Sequence, residues 1–112
     1  MLQLKELTEI NSVCGNENAL RSKLKEMVSP YATEITIDTM GNLIAFKQGL
    51  KPGGKKVVIS AHMDEVGFIV TDITDDGYLK FSCVGGIDPR IVLAQRVVVG
   101  DDKVPGVMGI KA

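Results

Sequence analysis

His62 is the only histidine of the chain. It stands where the apolar run Val57-Val58-Ile59-Ser60-Ala61 gives way to Met63-Asp64-Glu65. An imidazole and a carboxylate two residues apart have the makings of metal chemistry. In an extended chain, residues i and i+2 lie on one face, so His62 and Asp64 can point together into a cleft while Met63 points elsewhere. A metal-bound imidazole commonly hands its second ring N–H to a carboxylate, which fixes the tautomer and raises ligand basicity. The H-x-D step therefore suits a ligand, His62, and its orienter, Asp64. A lone histidine beside a strand is otherwise most often a hydrogen-bonded structural residue. Placement at the carboxyl end of a central strand favours the ligand reading, because open α/β sheets bind ligands along that edge.

The other candidate groups read as structure. Asp64 and Glu65 have an alternative reading as a solvated acidic turn. Asp72, Asp75 and Asp76 fit a hairpin better than a catalytic pair, since Asp-Gly is a turn signal. Gly53-Gly54 and Gly85-Gly86 lack a phosphate-loop pattern. Cys14 and Cys83 lie in different segments without C-x-x-C spacing, so they are expected to be reduced, buried thiols rather than a disulfide or a metal pair.

The elements that must position His62 follow from periodicity. Leu4, Leu7 and Ile10 or Val13 recur at helical spacing, and Ala19, Leu20, Leu24, Met27 and Val28 do so again after Asn16, a residue suited to capping. Pro30 stops the second helix. Glu34 to Asp38 alternates with period two, Gly41-Asn42 turns, and Leu43 to Phe46 returns, which predicts an antiparallel hairpin. After a loop over 48–54, Lys55 to Ala61 is apolar on both faces, the pattern of a central strand covered on each side. Beyond His62 the texture changes. Phe68–Ile73, Tyr78–Val84, Gln95–Val99 and Val104–Ile110 read as short strands divided by turns, which predicts a small barrel or sandwich and a domain boundary near 67–71.

Composition bounds the partners. The 112 residues suffice for one ordinary domain, or part of a larger one. A net charge of −1 with interspersed signs, and five scattered aromatic residues without basic clusters, exclude an electrostatic or base-stacking surface for nucleic acid. The first residues mix charges with leucines, unlike a signal peptide, and no apolar run approaches the ~20 residues of a membrane span. A cytoplasmic chain acting on a small molecule or peptide is expected. The two helices and one hairpin supply only part of the cover that strand 55–61 needs, and the chain stops inside or just after a strand, so an interrupted fold is expected.

Several co-linear motifs resemble one family. Ala61-His62-Met63-Asp64-Glu65-Val66-Gly67-Phe68, then Gly85-Gly86-Ile87-Asp88-Pro89, Gln95-Arg96-Val97 and Gly106-Val107-Met108-Gly109, are similar to the N-terminal third of the glutamyl and deblocking aminopeptidases. These are dinuclear metallopeptidases, some of which carry the label endoglucanase. Ser12 to Glu17 and Thr39 to Leu43 also fit. The resemblance implies an α/β fold. Residues 1–68 would begin a phosphorylase/hydrolase-like metallopeptidase domain and 69–112 would begin a small β-barrel-like dimerisation domain, both incomplete. It implies that His62 is a metal ligand and that Asp64 is the catalytic residue orienting it, with Glu65 supporting the site. It also implies two divalent ions per complete subunit, zinc or cobalt, of which this chain supplies one ligand. Peptide substrates and dimers assembling into a large particle follow from the same resemblance. A catalytic zinc needs about three protein ligands, so the 112 residues alone are expected to be inactive. The alternatives are a non-catalytic oligomerisation module built on the β-rich half and, third, an endoglucanase-type hydrolase, for which no pair of placed carboxylic acids stands out.

Overall fold

A computed structural model describes residues 2–51 and 53–110. The chain divides into two units, one running to Glu65 and one beginning at Val66.

In the first unit, helix α1 (Leu2–Thr8) is shorter than the periodicity predicts. The Thr8 hydroxyl donates to the Lys5 carbonyl at 3.0 Å, the local side-chain bond by which threonine competes with helical continuation. Ile10 and Val13 consequently fall outside the helix. Helix α2 (Asn18–Val28) begins after Glu17, so Asn16 is not its cap. The Asn16 amide instead donates to the Val13 carbonyl (2.8 Å), and the Glu17 carboxylate accepts the Gly15 N–H (2.7 Å). Leu20 is the residue by which α2 enters the core. Pro30 sits in a short 3-10 turn (Ser29–Tyr31) and ends the helix as expected of a residue without an amide proton.

Strands β1 (Glu34–Ile37) and β2 (Leu43–Phe46) form the expected antiparallel hairpin, in register from Glu34 opposite Phe46 to Ile37 opposite Leu43. Asp38 builds its turn. One carboxylate oxygen accepts the backbone N–H groups of Met40 (3.0 Å) and Asn42 (2.8 Å), and the other accepts the Asn42 side-chain amide (2.8 Å). These bonds, the Asn42 side chain first, hold the Asp38 carboxyl below the usual aspartate range. Gly41 adopts φ +85°, and the Arg21 guanidinium of α2 donates to its carbonyl at 2.6 Å. The backbone angle favours glycine, and a Cβ there, 2.6 Å from Arg21 Nη2, would also push the guanidinium off its bond.

Lys55 to Ala61 is not a strand. It makes no ladder with any described residue, and Val57, Val58 and Ile59 are 84%, 87% and 94% exposed. A strand exists only through bonds to a neighbour, and each described sheet has two strands, neither of which pairs with residues 55–61.

In the second unit, β3 (Gly67–Ile73) pairs antiparallel with β4 (Leu79–Val84), with an irregularity between Val70 and Asp72. Phe68 and Phe81 meet edge to face at 5.0 Å between ring centres. The expected turn is closed by Thr74 N–H to the Tyr78 carbonyl (2.8 Å) and Gly77 N–H to the Thr74 carbonyl (2.9 Å). Strands β5 (Arg96–Val99) and β6 (Val104–Val107) form a second hairpin, extended by paired bonds of Met108 with Ala94 and Gln95, at 3.0 Å each. The predicted barrel is absent among the described residues. Closure demands that every strand be bonded on both edges, and here two separate two-stranded ladders leave their outer edges free. No helix among the described residues is long and apolar enough to cross a membrane.

Only Leu20 and Met108 are buried hydrophobic residues among those described. Exposed apolar surface on this scale gives little hydrophobic stabilisation. The 112-residue chain alone is therefore expected to bind a hydrophobic dye and to melt without a sharp transition, and a cooperative, monomeric unfolding curve contradicts this. A peptide of residues 33–48 tests the Asp38 turn. Because folding lowers the Asp38 pKa, the hairpin population measured by NMR is expected to be constant above the ordinary aspartate range and to fall as pH drops through the depressed value. Asp38→Ala should abolish that pH dependence, and an unchanged profile contradicts it.

Candidate functional site

The segment carrying His62 has no regular backbone bonding until it reaches Glu65. There it is fastened to the loop after α1. Ser12 N–H donates to Glu65 Oε1 at 2.8 Å and Glu65 N–H donates to the Ser12 carbonyl at 3.0 Å. Val13 and Glu65 form an isolated parallel bridge at the same place. Ser12 is 3% exposed, and the clasp satisfies both of its backbone polar groups.

His62 and Asp64, just before that point, are brought together by irregular backbone rather than on a strand face. His62 Nδ1 lies 2.9 Å from the Asp64 backbone carbonyl and 3.2 Å from Asp64 Oδ1. A carbonyl oxygen and an ionised carboxylate oxygen are acceptors only, so Nδ1 is the protonated nitrogen that donates. The neutral ring then keeps the Nε2 lone pair for another partner. The His62 side chain is 85% exposed and Asp64 43%, so the ring is accessible. An imidazole held in this tautomer by a carboxylate and a carbonyl fits one arm of a metal site. No group of three or more His, Cys, Asp or Glu side chains that could hold an ion occurs among the described residues.

The remaining candidates serve local structure, Asp72 from within β3 rather than from the turn that follows it. Asp72 accepts from Lys80 Nζ (2.7 Å) across the hairpin and from the Ile73 amide (2.9 Å), away from any catalytic partner. Asp88 accepts the Arg90 amide (2.9 Å) and the Arg90 guanidinium (2.6 Å), which holds its carboxyl below the usual range. Cys14 and Cys83 are free, as expected, but both are exposed rather than buried. Cys14 lies in the loop beyond the bridge, and no described element covers the face of β4 that carries Cys83.

No local pattern in the sequence points to the Ser12–Glu65 clasp. Its partners are 53 positions apart, and neither residue type nor spacing links a serine in one loop to a glutamate at the end of another segment.

With this geometry established, the sequence of the M42 glutamyl aminopeptidase family matches residues 41–112, well over half of the chain and all of the His62 segment. The chain belongs to the M42 glutamyl aminopeptidase family. It is 36% identical over 95 residues to the lysyl aminopeptidase of Pyrococcus furiosus, covering 84% of this chain and 27% of that protein. Among solved structures, it is similar to a Thermotoga maritima protein named endoglucanase, with a TM-score of 0.88 and 42% identity over 96% of this chain and 34% of the other. It is also similar to the TET1 peptidase of Pyrococcus horikoshii, which can assemble into a tetrahedron or a large octahedral shell. There the TM-score is 0.80 and the identity 36%, over 96% of this chain and 32% of the other. The chain thus spans between 27% and 34% of the length of these relatives.

The hydrogen-bond pattern predicts that the neutral His62 ring carries its proton on Nδ1. Nitrogen chemical shifts from long-range NMR should report that tautomer in excess, and should continue to do so in Asp64→Ala, where the backbone carbonyl remains. A ring found with its proton mainly on Nε2 contradicts the assignment.

Proposed function

We propose that this M42 chain supplies the N-terminal portion of a metal-dependent aminopeptidase that releases N-terminal residues from peptides. The observation that carries the reading is the His62 ring, fixed through Nδ1 by Asp64 and left with Nε2 available on an accessible segment. In the family reading His62 holds one of two divalent ions, zinc or cobalt, and Asp64 is the residue that orients it. Further ligands and the general base come from polypeptide beyond these 112 residues. Ions held by His62 and by ligands from further polypeptide would supply Lewis-acid polarisation of the scissile carbonyl and a bound water of lowered pKa. Asp64 contributes by holding the imidazole in the ligating tautomer, and its partial exposure leaves the pair open to the approach of other groups.

Residues 1–68 are assigned to the α/β catalytic domain and 69–112 to the start of a β-rich dimerisation domain. The free outer edges of both hairpins in the second unit suit strand pairing with further polypeptide. A homo-oligomer, of the kind named for the TET1 peptidase, and a cytoplasmic location belong to the same reading. The preferred N-terminal residue stays open, because the family carries the glutamyl name while one relative is a lysyl aminopeptidase. Glycoside hydrolysis is disfavoured, since Asp38, Asp72 and Asp88 serve hairpin and turn bonds instead of forming a carboxylic acid pair.

The test is made on the longer polypeptide. His62→Ala is expected to lower bound metal and to reduce peptide hydrolysis by more than about 100-fold, with amino acid but no reducing sugar released by the unaltered protein. Unchanged metal content in His62→Ala rejects the ligand assignment and favours a non-catalytic assembly module.

A further inference from the structure

One peptide group joins the two halves of the site. The carbonyl of Asp64 accepts from His62 Nδ1 at 2.9 Å, and the N–H of Glu65, in the same peptide plane, donates to the Ser12 carbonyl at 3.0 Å. A peptide unit is planar and stiff, so the direction of its N–H determines the direction of its C=O. A single hydrogen bond would still let that plane swivel about the Ser12 carbonyl. The Glu65 carboxylate removes this freedom by accepting the Ser12 N–H at 2.8 Å, which makes the attachment two-pointed. Donation from the Glu65 N–H also polarises the Asp64 carbonyl, making it a stronger acceptor for the imidazole N–H.

We propose that Glu65 is a positioning residue: by closing the two-point clasp on Ser12 it fixes the Asp64–Glu65 peptide, and through it the His62 ring, in the orientation that meets a divalent cation. Glu65 touches neither ion nor substrate in this role. Its partner is well suited to the task. Ser12 is buried, so its amide would be left without an acceptor if the carboxylate were removed, and the loop would have to rearrange to satisfy it. The proposal rests on the metalloaminopeptidase reading of His62.

Zinc affinity of the longer polypeptide, measured by competition with a chromogenic chelator, tests the proposal in three variants. Glu65→Ala is expected to weaken zinc binding by about 10- to 100-fold, the range for loss of a group that orients a ligand. Glu65→Gln retains an oxygen that can accept the Ser12 N–H and should restore affinity close to that of the unaltered protein, an outcome that general destabilisation would not produce. His62→Ala should lose the one ion per subunit that His62 holds. Unchanged affinity in Glu65→Ala, or an equal loss in Glu65→Gln, overturns the clasp while leaving His62 as ligand. Zinc binding unaffected by His62→Ala overturns the reading beneath it. Should Glu65→Ala fail to fold, hydrogen exchange of the unaltered protein decides: a Ser12 amide protected beyond its loop neighbours supports the clasp, and one exchanging at the unprotected rate overturns it.

Discussion

Two hydrogen bonds between residues 53 positions apart hold the segment bearing His62 to the rest of its unit. Their energies show what they can and cannot do. Each contributes about 1 kcal/mol net, whereas closing a loop of that length costs roughly 3.5 kcal/mol from its length dependence alone. The clasp therefore does not draw the two loops together. It selects one arrangement from those that the packing of Leu20 and the Arg21 link between α2 and the β1–β2 turn already permit. An interaction too weak to drive folding can still orient a peptide plane, because orientation needs only a preference among nearby geometries.

The same accounting explains why the apolar run before His62 lies open. Val57, Val58 and Ile59 have the composition of a buried strand, yet composition cannot supply the neighbouring backbone that a strand requires. The three hairpins and two helices close their hydrogen bonds locally, and none of the described strands has an edge committed to residues 55–61. A family member about three times as long has further chain to bring to that edge, and the likeness to much longer solved structures over nearly all of this chain fits such a division. The local elements, in this view, have their shapes before the site is complete.

Legibility in the sequence tracks the range of the interaction. The β1–β2 hairpin, the Asp75-Asp76-Gly77 turn and the helix stop at Pro30 were readable because each depends on residues within a few positions: period-two alternation, a glycine at φ +83°, a missing amide proton. The pairing of His62 with Asp64 was readable for the same reason. Two departures are local as well: Asn16 bonds back to Val13 instead of capping α2, and the Thr8 hydroxyl ends α1 early, because a polar bond over three positions outweighs the apolar periodicity. The expected barrel failed because alternation specifies strands without specifying which edges meet.

Taken by itself, the sequence determined the family, the lone imidazole with its carboxylate two residues on, and the local hairpins, since all of these are carried by residue type at short spacing. Tertiary structure alone decided that the Asp64–Glu65 peptide, whose carbonyl meets His62, is bonded on its other side to Ser12, and that residues 55–61 pair with no other segment among the described residues. Contacts between distant segments depend on where whole elements come to rest, and no local pattern of side chains encodes that.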